Sequence, residues 1–481
     1  MPSYSEQWLT DRMTGGGRRL CAGGIFTFPL FSPFLVEHFK LTAPRLTTIV
    51  LAGMIGQYPF AAFVGKAIDL YGPWSCSLAS SVLFSLGFGL FAHEIYKTLD
   101  DIAAPSKSSF ERLTLYYFLA GLGTVTSYFS SLFAASKNFP EYIGIASGVT
   151  MAIFGLSPVF FSLIASTFFT DEGSELDVMH FITFMAILTG VVHLIGAINL
   201  QTTSLTTAEI VSGHEDAEDE ENISEQTADE RTSLITPKKL NVQVTVVPIE
   251  HNQSLIDILN DRYFWLLGLA LIICVGSCEM IMSNLGSIVM TLPSSSSVPS
   301  SVATATQVRL LSLSNTITRL VVGPLADFAS PMASFLPNGT IHYTRKHHIS
   351  RVAFLSGASM LLVLTYTWME LGVRSREDVW VLSVGTGIAY GTIFTTLPGV
   401  VSGVWGLSNL GRNFGIITYA PFIGTPLFSY LFAFVSAAHA SDGGVCKGEQ
   451  CWRLTFAVTI ISAAVSLFAS VLLWRKWKGR V

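Results

Sequence analysis

A chain of 481 residues would suffice for two or three soluble domains. Half of its residues are hydrophobic, only 13% are charged and its mean hydropathy is +0.52, against about 25% charged residues in soluble domains; these values exclude a soluble protein and indicate an integral membrane one. The net charge of −5 is a local effect: nine of the 33 acidic residues fall within His214–Arg231, and without them the balance is +4, so charge does not point to nucleic acid.

The predicted elements are apolar stretches near the roughly 20 residues that cross a bilayer as a helix. A polar N-terminus with Arg12, Arg18 and Arg19 precedes them, and no cleavable signal peptide is expected. In chain order the spans are Leu20–His38, Leu46–Ile68, Pro73–His93, Thr114–Ala135, Ile143–Phe169 and Val178–Leu200, then Tyr263–Leu292, Ala303–Phe328, Val352–Leu371, Val379–Trp405, Phe414–Ala437 and Leu454–Trp474. Gly and Pro inside several of them are tolerated in a bundle, where neighbouring helices re-satisfy the freed backbone. The polar segment Gln201–Leu259 divides the spans six and six, and its acidic, aromatic-poor middle has the composition of a disordered chain. The expectation is an all-α membrane protein. A six-helix half occupies residues 1–200, an acidic, largely disordered cytosolic loop 201–259, and a second six-helix half 260–481.

Lys and Arg accumulate in connections on the cytosolic side. With both termini in the cytosol, that side carries seventeen of them and the opposite side nine, leaving Arg309 and Arg319 inside a span. This orientation puts the glycosylation sequons at Asn222, Asn252 and Asn338 in the cytosol, where they are expected to stay unmodified. Each half also carries the same turn after its second span. Gly65-Lys66-Ala67-Ile68-Asp69-Leu70-Tyr71-Gly72 follows span 2, and Gly323-Pro324-Leu325-Ala326-Asp327-Phe328 follows span 8, both reading G-x-x-x-D. At equivalent places in two six-span halves the repeat points to a duplicated transporter.

Twelve spans, a long central loop and paired G-x-x-x-D turns resemble the major facilitator superfamily. Ser136-Lys137-Asn138-Phe139-Pro140-Glu141 entering span 5, with Gly144, Gly148 and Phe154-Gly155-Leu156-Ser157, resembles its nodulin-like branch. So does Trp405-Gly406-Leu407-Ser408-Asn409-Leu410-Gly411-Arg412-Asn413-Phe414-Gly415 entering span 11. The whole chain apart from the central loop is most similar to fungal monocarboxylate-transporter homologues, described as transporters of the vacuolar membrane. By that resemblance Asp69 faces the start of span 11 near Arg412 and Asp327 the start of span 5, holding the cytosolic side closed. An Asp near a helix N-terminus is favoured by the dipole there. Ser330 stands where the second copy of the turn would close with Gly.

Charges inside spans are costly and mark functional candidates. Asn315, Arg319 and Gly323 recur every four residues and share one face of span 8. In the monocarboxylate transporters an Asp precedes such an Arg by four residues, and the pair is implicated in proton coupling and anion binding. Here the Arg matches as Arg319 but the Asp position holds Asn315, so that coupling mechanism does not transfer. A guanidinium still suits bidentate binding of a carboxylate; the alternative is a structural charge near the cytosolic end. Counted at 1.5 Å per residue, Glu279 in span 7 lies roughly 20 Å from the cytosolic edge, Arg309 roughly 25–30 Å and Arg319 roughly 10–12 Å. That makes Arg309 the expected partner of Glu279, and Glu279 is either a protonatable carboxylate or one half of a fixed ion pair. A further alternative has Arg309 snorkelling to the interface.

His193 reads as a packed, hydrogen-bonded histidine, and Cys21, Cys76, Cys274 and Cys278 as small apolar residues. Cys446 and Cys451 flank a short lumenal loop and form a candidate disulfide. No zinc spacing, P-loop or nucleophile–base arrangement is present, so neither an enzyme nor a cofactor is expected. In the central loop Glu230-Arg231-Thr232-Ser233-Leu234-Ile235 matches an acidic dileucine sorting pattern, readable by a vesicle-coat adaptor because the segment is extended. The expected function is secondary transport of a small solute, an organic anion in the first instance, by alternating access across the vacuolar membrane. The alternatives are the plasma membrane for location, and for function a non-transporting solute sensor that signals through the loop.

Overall fold

The structure, a computed structural model, describes residues 17–98, 106–138, 143–170, 176–215, 255–293, 299–330, 333–335, 341–343, 348–405, 410–440 and 446–478. A 3-10 turn, Gly24–Thr27, leads into α1 (Phe28–Phe39). α2 (Ala43–Ile55), α3 (Ala61–Tyr71), α4 (Pro73–Lys97), α5 (Lys107–Asn138), α6 (Ile143–Gly155), α7 (Ser157–Phe168) and α8 (Val178–Glu215) follow. Next come α9 (Leu255–Asn260), α10 (Arg262–Thr291) and α11 (Ser300–Ala329). A small antiparallel hairpin of β1 (Ala333–Phe335) and β2 (Ile341–Tyr343) precedes α12 (Val352–Gly372). The chain ends with α13 (Trp380–Trp405), α14 (Leu410–Ile417), α15 (Tyr419–Ala438) and α16 (Arg453–Lys476).

Among the described residues, nine helical stretches are long and apolar enough to cross a membrane. The broken pair α2 and α3, and the Ser- and Thr-rich α5 and α11, occupy the three other expected positions. Large side chains such as Ile198, Leu364 and Phe468 are exposed on the outer faces while the interior is also apolar. Helices apolar all round belong in lipid or in a large core.

Three helices break, each a few residues before a proline. Pro59 lies in the gap between α2 and α3, Pro158 sits just after the junction of α6 and α7, and Pro421 lies just beyond that of α14 and α15. The ring removes a backbone donor and clashes with the preceding turn, so the helix restarts. Glycine sets how closely the pieces pack. A Cβ on Gly121 of α5 would lie 2.0 Å from Gly53 O of α2, and one on Gly424 of α15 2.0 Å from Ile272 O of α10. The pairing pattern recurs along the chain: α4 packs on α5 and α8, and α12 packs on α13 and α16.

One boundary differs from the sequence reading. The apolar part of the sixth span ends at Asn199, close to the expected Leu200, but helix α8 runs on to Glu215, into the segment read as loop. Residues 201–212 contain no Gly or Pro and include Leu205, Ala208 and Glu209, so an established helix propagates through them at little cost.

Candidate functional site

The three breaks converge, with α5, α11 and α13, on a narrow cavity of about 50 Å³. Its wall includes Tyr58 at the α2–α3 break, Tyr128 of α5, Phe154 of α6, Arg319 of α11, and Tyr390 and Phe394 of α13. An aromatic wall with few polar groups is the make-up of a small-ligand site. Irregular backbone at this depth is tolerated where it lines a cavity.

Arg319 is 2% exposed. Its Nε donates to Asn315 Oδ1 at 2.8 Å and its Nη1 to Met151 O at 2.8 Å. The guanidinium lies 5.7 Å from the Tyr390 ring centre and 6.0 Å from that of Phe394, within cation–π reach. Among the described residues no carboxylate pairs with it. Asn315 and Arg319 are thus hydrogen-bonded to each other, on the shared helix face that their four-residue spacing indicates.

Glu279, fully buried, is reached by hydroxyls from three other elements. Tyr58 Oη and Tyr390 Oη donate to Oε1, the latter at 3.0 Å, and Thr425 Oγ1 of α15 donates to Oε2 at 2.6 Å. The expected Glu279–Arg309 pair does not form. Arg309 Nε donates to Ser162 Oγ and its Nη2 to Ser162 O, each at 3.0 Å, and also to Ser166, so it ties α11 to α7. Depth along a helix is fixed by residue count, but rotation about the axis is not, and rotation turned Arg309 towards α7. Tyr390 instead joins Glu279 to Arg319, bonding one through its hydroxyl and lying beneath the other with its ring.

Contacts at both ends of the bundle flank the cavity. Near residues 40–48, a Cβ on Gly286 of α10 would meet Pro29 O of α1 at 2.6 Å, and Thr48 bonds Tyr430 across α2 and α15 at 3.0 Å. At the other end, Asp327 accepts from Ile145 N at the start of α6 at 3.0 Å and from Arg351 Nη2 at 2.7 Å. Arg351, buried, also donates twice to Ser330 O. Gly323 lies on the α6–α11 contact, 3.7 Å from where a Cβ on Gly148 would be. Gly72 adopts φ +77°, a conformation that favours glycine and lets α3 turn into α4. Around Gly65 there is open space. The side chain of Asp69 lies outside what the structure describes, as do Glu230, Leu234, Ile235, Asn222, Asn252 and Asn338.

His193 bonds Ser127 Oγ through Nε2 and Thr189 O through Nδ1, each at 2.7 Å, and packs on Phe84. Cys446 and Cys451 are disulfide-bonded, and Cys21, Cys76, Cys274 and Cys278 are free and buried. Tyr58, Tyr390, Thr425 and Arg351 were not singled out from the sequence. For Tyr58 a signal existed: Gly56-Gln57-Tyr58-Pro59 interrupts an apolar span, and interrupted helices mark transporter sites. Tyr390 and Thr425 carry no such mark, since hydroxyl residues recur throughout their helices.

Residues 20–418 match the family model of the Major Facilitator Superfamily. The chain is 27% identical to the protein named probable transporter MCH1 of Gibberella zeae, over 96% of this chain and 88% of that one. It is likewise 27% identical to the protein of that name in Debaryomyces hansenii (95% and 90% covered) and 25% identical to that in Saccharomyces cerevisiae (95% and 90%). The relatives' names and the fold agree with a multi-pass membrane transporter, similar to the fungal monocarboxylate-transporter homologues. The chain belongs to the Major Facilitator Superfamily.

Proposed function

We propose that the protein is a secondary transporter of a small organic anion, with Arg319 as its anion-binding residue. One observation carries this reading: a buried guanidinium on the cavity wall whose recorded acceptors, Asn315 Oδ1 and Met151 O, are both neutral. A cation at this depth needs compensating interaction of order 3 kcal/mol, and a bound carboxylate supplies it. Arg319, held by Asn315, supplies the positive charge of the site, and the aromatic wall takes the apolar part of the solute.

Twelve spans in two six-helix halves, working by alternating access, fit the helix order and the repeated pairing of α4 and α12 with their neighbours. In this scheme the Asp327–Ile145 contact, and the one expected of Asp69, latch the cytosolic end, while Arg309 and the Gly286 contact latch the lumenal one. The vacuolar membrane is the proposed location, reached through Glu230, Leu234 and Ile235. No observation favours a solute sensor. Uptake of radiolabelled monocarboxylates and uncharged analogues into vesicles holding the purified protein tests the reading. Arg319→Gln is expected to abolish uptake of the anions. Transport of an uncharged solute, undiminished by Arg319→Gln, overturns both the role and the substrate class.

A further inference from the structure

We propose that the groove between α7 and α11 is a second oxyanion-binding site, built by Arg309 and the Ser162 hydroxyl, which takes a dissolved phosphate or carboxylate and so ties the two halves of the chain together at that end of the bundle. The groove shares no lining residue with the central cavity. Binding there does not depend on the transporter reading or on Arg319.

The groove encloses about 70 Å³, more than the central cavity. Ser162, Ser166 and Thr170 of the α7 segment line one side, and Ser301, Ala305 and Arg309 of α11 the other. Each set recurs every four residues and so lies along one helix face. The bonds Ser312–Gly155 and Arg309–Ser162 make the two helices antiparallel. At 1.5 Å per residue the two faces therefore run together for about 12 Å, from a mouth at Thr170 and Ser301 to a floor at Ser162 and Arg309. In the expected orientation the mouth opens towards the lumen.

Two groups at the floor still have protons to donate. Arg309 spends Nε and Nη2 on Ser162 Oγ, Ser162 O and Ser166 Oγ, all neutral, while its Nη1 meets no acceptor among the described residues. Ser166 and Thr170 give their hydroxyl protons to backbone carbonyls of their own segment, Leu163 O at 3.0 Å and Ala165 O at 3.1 Å. Ser162 departs from that pattern. It is 0% exposed, its oxygen accepts from Arg309, and among the described residues its proton meets no acceptor. Buried donors are costly to leave without an acceptor, and the adjacent guanidinium favours an acceptor that is negatively charged. No carboxylate among the described residues pairs with Arg309. Asp177, next to the lining residue Leu176, is held by His180 at 2.7 Å. The fitting ligand is thus an acceptor-only anionic oxygen, which an ionised carboxylate or phosphate supplies. Ser162 precedes the central loop and Arg309 follows it, so an oxyanion accepting from both adds a bridge between the halves beside their direct bonds.

The test uses the purified full chain with inorganic phosphate as the probe. Equilibrium dialysis of radiolabelled phosphate reads binding in detergent and in phospholipid nanodiscs. Saturable binding is expected in both, lost in Arg309→Gln, weakened at least tenfold in Ser162→Ala and unchanged in Arg319→Gln. Spin labels on Tyr96→Cys and Leu371→Cys, both exposed and at the ends of α4 and α12 on the mouth side, read the separation of the halves. The four free cysteines are buried and do not compete for label. Phosphate is expected to shift the label distances towards shorter values in wild type and to leave Arg309→Gln unchanged. Ser162→Ala keeps the cation, so the test survives if Arg309→Gln fails to fold. Absence of saturable binding, or binding that is lost with Arg319 rather than Arg309, overturns the second site. Binding in detergent that disappears in nanodiscs assigns the groove to a lipid headgroup phosphate and overturns the dissolved occupant. Binding with unchanged label distances overturns the tie between the halves. None of these outcomes touches anion uptake through Arg319, which is measured separately.

Discussion

At the residue scale the site turns on what an amide does where a carboxylate would pair with an arginine. Asn315 accepts from Arg319 Nε and holds the guanidinium on the cavity wall without neutralising it. Asn315→Asp would supply an internal counter-ion that competes with an anionic solute. We expect that variant to fold and reach the membrane normally, and to need at least tenfold more anion for half-maximal uptake. Arg319→Lys keeps the charge but loses the planar fork and its stacking on Tyr390. It should fold and sort normally while anion uptake falls about tenfold, the equivalent of one charge-assisted hydrogen bond. Uptake at the wild-type level in Arg319→Lys would mean that only the point charge matters. His193, by contrast, spends both ring nitrogens on Ser127 and the Thr189 carbonyl inside the N-terminal helices, and serves packing.

At the scale of elements, small residues set the helix spacing that brings the hydroxyl donors onto Glu279. Gly424 and Gly276 bring α10 and α15 together closely enough for Thr425 to reach the carboxylate. Gly424→Ala would drive a methyl group into the Ile272 carbonyl, an overpacking that costs about 1–3 kcal/mol. Its thermal unfolding temperature in detergent should fall. Gly357→Ala on α12, where a Cβ meets open space, should leave it unchanged or raise it slightly. Equal melting of the two variants would show that the close approach is not needed for stability. Pro59, Pro158 and Pro421 accompany the breaks, but Pro324, Pro398 and Pro426 lie inside unbroken helices, so proline alone does not place a break in the sequence. That all three breaks face one cavity is not legible either, since this depends on how the pieces pack.

At the scale of the whole molecule, the Lys and Arg asymmetry leads us to expect both ends in the cytosol. The measurement is glycosidase treatment of protein from a eukaryotic host. No mobility shift from Asn222, Asn252 or Asn338 is expected, and a shift assigned to one of them would place its loop in the lumen. For sorting, Leu234→Ala combined with Ile235→Ala should divert the protein from the vacuolar membrane to the cell surface with its thermal stability intact. Unaltered localisation in fluorescence microscopy would remove the motif from the argument.

Composition and hydropathy alone determined that the chain is helical and lives in a membrane, because in a bilayer every backbone polar group must be bonded within a helix or closed barrel. Span positions followed from the same constraint, and Arg319 and Asn315 came to notice because charge inside a span is costly and a four-residue spacing puts both on one face. What sequence arithmetic placed wrongly was the partner of Glu279. Residue count measures distance along a helix axis; it does not measure the rotation of that helix or which distant segment lies opposite. Only the tertiary structure turned Arg309 onto Ser162 and brought Tyr58, Tyr390 and Thr425 from three elements onto one carboxyl. The same packing joined that carboxyl to Arg319 through a single tyrosine ring. A hydroxyl group carries no sequence signature in helices rich in Ser, Thr and Tyr, and its role is set by what the packing leaves in front of it.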